Sequence, residues 1–146
     1  MASNAIISHG RNERFRKYTL FELLPEGHCL VLDMVKGIMT QISDEPTVVE
    51  QQLIAMEEMV LIAELLSAFP YHAPDAVLLA AKTQRDLKEC QKEVKWAYEN
   101  GTWDQVLRPV RGTISRCRVK LHPFGIDARS IVQTSYILMP LEKVKR

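Results

Sequence analysis

The side chains of this 146-residue chain with most scope for chemistry are three cysteines, four histidines and a cluster of arginines in its last third. His28 and Cys29 are adjacent with Asp33 close behind, and Cys117 precedes His122 by five positions. A nucleophilic thiol needs an imidazole in contact and a depressed pKa. A structural zinc needs four converging ligands, usually delivered as close-spaced pairs. The chain has no CxxC pair, and Cys90 and Cys117 fall on apolar stripes, where a free thiol behaves as a small hydrophobe. His72, between Pro70 and Pro74, and His122, beside Pro123, read as loop residues. No GxGxxG, P-loop, kinase or nucleophile-elbow signature is present. The sequence therefore favours no catalytic residue, no metal and no cofactor. An enzyme using His28, Cys29 and Asp33, or His72 or His122, is the least favoured reading.

The basic cluster is more informative. Arg108, Arg111, Arg116, Arg118 and Lys120 lie within a short segment around an apolar seam of Val110, Ile114, Cys117 and Leu121. On a helix, Arg111 and Arg118 flank one side of that seam, and Arg116 and Lys120 the other. The net charge of +1 conceals +2 over residues 1–24, −7 over 25–101 and +6 over 102–146. Such a basic surface attracts a polyanion through counterion release, although no helix-turn-helix, zinc-finger or RNA-binding aromatic signature accompanies it. The competing reading is intramolecular. Glu50, Glu57 and Glu64, seven apart, line up as an acidic stripe on one helix, and the arginines can lie across it. Left exposed, the same stripe would dock a basic partner.

Trp96 projects from a charged helical face as a candidate interface anchor; the alternative packs it under Trp103 and the turn between helices, with Lys92 over its ring. Met34, Met39, Met56 and Met59 read as core filler, though methionine also suits adaptable grooves.

The elements expected to carry these groups are helical. Residues 1–12 read as a flexible lead. Thr19 and Glu22 have capping-box spacing ahead of Pro25-Glu26-Gly27. Val31, Met34, Val35, Ile38 and Ile42 recur at helical intervals; Cys29 to Leu32 is also compatible with a strand, and Gly37 weakens the helix. Pro46 opens, and Phe69-Pro70 closes, a long helix apolar on two sides, the central rod of a bundle. A third helix spans about Pro74 to Glu99, with Asn100-Gly101 as a left-handed stop. Thr102 and Gln105 open a fourth at Trp103, which kinks or restarts at Pro109. A last element after Asp127, containing Ile131, Val132, Tyr136 and Met139, is helix or strand.

The fold expected is all-α, a compact bundle of four to five helices around a long central hydrophobic helix. It forms a single helical domain over residues 13–140, with a basic tail at 141–146. Glu50, Glu57, Glu58 and Glu64 interrupt the apolar run Val48 to Phe69 and argue against a membrane span. With an odd cysteine count and no secretory signal, nucleus or cytoplasm is the expected compartment. The preferred function is a non-enzymatic module that binds another protein, or itself, through Trp96, Trp103 and the acidic stripe. The alternative is nucleic-acid binding through residues 108–120.

Overall fold

A computed structural model describes residues 14–67, 70–131 and 135–141. The chain begins with four antiparallel strands: β1 (Phe15–Tyr18), β2 (Cys29–Asp33), β3 (Ile38–Ile42) and β4 (Val48–Leu53), in sheet order β1-β2-β3-β4. There follow α1 (Met56–Leu66), β5 (His72–Pro74), α2 (Asp75–Thr83), α3 (Leu87–Asn100) and α4 (Trp103–Leu121). A 3-10 turn at His122–Phe124 leads into a hairpin of β6 (Ile126–Ile131) and β7 (Ser135–Pro140). That hairpin returns to β5, giving a second sheet in the order β5-β7-β6. The protein is mixed α and β, and the all-helical bundle expected from the sequence is overturned.

The first correction falls on residues 30–42, which form a β-hairpin. Leu30, Leu32 and Met39 are wholly buried and Gln41 nearly so, an alternation of period two. The Val35 that seemed to continue a helical stripe is exposed in the turn. The Asp33 carboxylate fixes that turn by accepting the amides of Val35 and Lys36, while Arg14 holds both its oxygens at 2.9 Å. Gly37 sits at φ +70°, and a Cβ there would lie 2.5 Å from the Ile54 carbonyl oxygen. Gly37→Ala should therefore cost more than about 1 kcal/mol, from the left-handed backbone and the clash together. Urea unfolding should show a lower midpoint with an unchanged slope.

The central rod is the second correction. Its first half is β4, an edge strand whose Val48, Val49 and Leu53 are exposed. Only Met56–Leu66 is helical, so Pro46 opens no helix. The run Thr47-Val48-Val49 is β-branched and fits a pleated surface, and pairing with β3 decides between the two periods. What remains of the rod does anchor the core: Met59, Leu61, Ile62, Leu65 and Leu66 are fully buried.

The expected third helix is two. Gln84 turns left-handed at φ 55°, and the Asp86 side chain accepts the Glu89 amide to start α3. Gly101 ends α3 at φ 74°, as the Asn100-Gly101 stop predicts. α4 starts at Trp103 and continues as one helix through Pro109, so it does not restart there. Pro109 lies on the exposed side, where the carbonyl it leaves unpaired can turn to water. The last element proves to be strand. One apolar cluster, from Tyr18 and Leu30 to Ile126 and Leu138, joins both sheets to the helices. The leading segment 1–12 and residues 142–146 of the basic tail lie outside the described residues.

Candidate functional site

α4 buries Leu107, Val110, Ile114, Cys117 and Leu121 along one seam. Gln105, Arg108, Gly112, Ser115 and Val119 form its solvent ridge. Asp104 in the first turn and Arg118 and Lys120 in the last complement the helix dipole. Beside the ridge runs the β6–β7 hairpin, and between them lies an open groove of about 450 Å³. Arg111, Ser115 and Arg118 line it from α4, and Arg129, Ser130 and Tyr136 from the hairpin.

The groove's charge is organised on two aspartates. Asp104 pairs with both Arg108 and Arg111. Arg111 also stacks its guanidinium over Trp103, which in turn stacks on Tyr98. Asp127 is buried, and Arg118 Nε reaches it at 2.8 Å, Arg129 Nε at 2.9 Å and His122 Nε2 at 2.9 Å. Burial works against its charge, but hydrogen bonds from Arg118, Arg129 and His122, with the Arg118 charge, more than offset this and hold the carboxyl well below the usual range. Four guanidiniums thus share two carboxylates, and the buried Asp75, which accepts from the Tyr98 hydroxyl at 2.8 Å, lies beside Arg111 as well. Both arginines on Asp127 remain about half in water, Arg118 at 44% and Arg129 at 49%. The shared buried carboxylate fixes their geometry.

The remaining cations of α4 serve the fold. Arg116 reaches back to α1, contacting Glu57 and the buried Glu58 at 3.3 Å each. The Lys120 ammonium donates to the Leu53 carbonyl at 2.8 Å. The acidic stripe does not exist as one line, because Glu50 lies on β4 while Glu57 and Glu64 lie on α1. Glu50 accepts from Gln52, Glu57 takes Lys82 and Arg116, and burial raises the Glu64 pKa. Trp96 is 58% exposed on α3, whereas Trp103 is half-buried against Tyr98 and Arg111.

The nucleophile candidates are dispersed. Burial, then the nearby Glu58 charge, pushes the Cys117 thiol up to about 12, far from a reactive thiolate. Cys29 and Cys90 are buried, His28 Nδ1 is bonded to Gln41, and Asp33 is committed to Arg14 and its turn. Among the described residues no three His, Cys, Asp or Glu side chains converge as a metal would need. None of the described helices is long and apolar enough to cross a membrane.

Sequence reasoning found Arg108, Arg111 and Arg118 but missed the hairpin side, Asp127, Arg129, Ser130 and Tyr136. The signal was faint: an Arg two residues after an Asp, in a segment whose period suited either helix or strand. No family model, no curated protein and no solved structure matches the chain.

Proposed function

We propose that the protein binds duplex DNA, with the solvent ridge of α4 in the major groove and the β6–β7 hairpin tracking the adjacent backbone. The observation that carries this is the groove in which Arg111, Arg118 and Arg129 project from a helix and a β-ribbon onto one face. An α-helix and a two-stranded ribbon are the two elements that the major groove of B-DNA admits. A helix, a glycine turn and a second helix is also the order of elements in a helix-turn-helix, which places its second helix in that groove. At about 1.5 Å per residue α4 is long enough to cross it. The ridge itself is slim: a Cβ added to Gly112 would meet nothing within 4 Å, and Ser115 is small, so bases can approach closely.

Duplex DNA fits better than double-stranded RNA, whose deep, narrow major groove excludes a helix. The preferred protein-binding reading of the sequence rested on a two-sided apolar rod, and that premise goes with the rod. Trp96 remains exposed on α3.

Fluorescence anisotropy with a labelled random-sequence duplex, across a salt series, tests the proposal. Affinity should fall linearly on a log–log plot, with a slope of about −0.9 per phosphate contacted. Absence of saturable binding at low salt would sink the reading.

A further inference from the structure

Beside the α4 groove lies a smaller hollow of about 200 Å³, lined by Asp75, Trp103, Leu107, Arg111, Ser130 and Tyr136. Asp75, the first residue of α2, is 3% exposed. Tyr98 donates to its Oδ2 at 2.8 Å, and no described residue donates to its other oxygen. Tyr136 is 8% exposed, and its hydroxyl likewise has no hydrogen-bond partner among the described residues. Buried polar groups are nearly always paired, by the protein or by whatever fills the space beside them. Two such groups converging on one hollow mark it as a place for a ligand.

Water can satisfy the phenol, but the carboxylate also lacks a counter-ion. Burial pushes the Asp75 carboxyl up, and the Tyr98 hydrogen bond and the Arg111 charge offset this only in part. Arg111 lines the same hollow without pairing with Asp75. Its Nη2 goes to Asp104, which Arg108 also holds, and its guanidinium stacks over Trp103. Arg111 Nε and Nη1 take no acceptor among the described residues. A carboxylate and a guanidinium thus border one space and do not meet across it.

We propose that this hollow binds a small apolar α-amino acid as its zwitterion. The ammonium meets Asp75 and the Tyr136 hydroxyl, the carboxylate meets Arg111 with Ser130 beside it, and the side chain lies against Trp103 and Leu107. A zwitterion is the small ligand that supplies both missing counter-charges and adds no net charge. A nucleobase would offer donors to Asp75 but no anion to Arg111. A simple cation would face the guanidinium, and a simple anion the buried carboxylate. Volume sets the size of the side chain. A cavity of about 150 Å³ holds benzene, so this one has room for valine, leucine or methionine. Asp75, Trp103 and Leu107 lie outside the α4 groove, whereas Arg111, Ser130 and Tyr136 line both. The proposal does not rest on duplex binding, and its test contains no DNA.

Isothermal titration calorimetry of the full chain with L-valine, L-leucine and L-methionine tests it. At least one should bind saturably, one per chain, with a Kd between about 1 µM and about 1 mM. Analogues of that amino acid lacking the ammonium or the carboxylate (4-methylpentanoate and 3-methylbutylamine for leucine) should each bind at least about tenfold more weakly. Asp75→Asn keeps the side chain's shape and removes its charge. It should weaken the amino acid by about tenfold or more, while the analogue without an ammonium binds no more weakly than before. A merely structural role for Asp75 would weaken both alike. Circular dichroism confirms that the variant is folded. Absence of saturable binding by all three amino acids would overturn the proposal, as would equal affinity for an amino acid and its analogue without an ammonium. So would binding of guanosine in their place, which would assign the hollow to a base.

Discussion

Replacing Arg118 and Arg129 by glutamine and Asp127 by asparagine, in one triple variant, is expected to weaken duplex binding by roughly tenfold to a hundredfold near physiological salt. Asparagine is included because the arginines are the chief counter-ions of a buried carboxylate, and removing them alone would confound affinity with misfolding. The triple variant exchanges charged hydrogen bonds for neutral ones of similar shape. If each guanidinium touches one phosphate, the log–log salt slope becomes shallower by about 2. The loss should be nearly the same for any duplex sequence, since phosphate contacts position the protein and carry no sequence information. An affinity loss with the slope unchanged would mean that the arginines act only through the fold. An unchanged affinity would remove the groove from the interface.

The choice of these residues over their neighbours comes from geometry that the sequence does not encode locally. Arg116 and Arg118 are two residues apart and chemically identical, yet one is pulled to Glu57 and Glu58 of α1 and the other to Asp127 of β6. Helical spacing separates them onto two flanks, and that much was legible. Which flank faces a ligand depends on what packs beside it, and the hairpin that settles this was invisible as a hairpin. The turn at Asn100-Gly101 and the buried seam of α4 were readable because each rests on a local rule, a left-handed glycine or a period of 3.6. The first sheet was not readable. Apolar residues at 31, 34, 35, 38 and 42 satisfy a helical template by count, although 34 and 35 belong to a turn made by Asp33 and Gly37. The same ambiguity split the supposed rod after Leu53. Exposed valines on an edge strand imitate the buried valines of a helix, and only pairing with β3 reveals the difference.

Asp127→Ala should be among the most destabilising substitutions of a charged residue in this fold. The carboxylate is 2% exposed and takes Arg118, His122, Arg129 and the amide of Ala128. Truncation strands two guanidiniums beside one another without their anion. Breaking a fully buried pair costs about 3–5 kcal/mol, and the half-exposed arginines bring the expected loss nearer to 2–3 kcal/mol. The pH dependence separates this from simple loss of packing. Because the native carboxyl is held below its unfolded value, the stability it contributes is fully present above the unfolded pKa of about 4. It is lost as the pH falls from there toward the folded value, since in that window the unfolded chain binds the proton more readily. Urea unfolding should therefore show a large gap between wild type and Asp127→Ala at neutral pH, narrowing steadily below about pH 4. A gap that stays constant with pH would mean that the side chain only fills space. Asp127→Asn made in a background already carrying Arg118→Gln and Arg129→Gln should instead raise the urea midpoint, because it removes a buried charge that has by then lost the two guanidiniums that justified its burial.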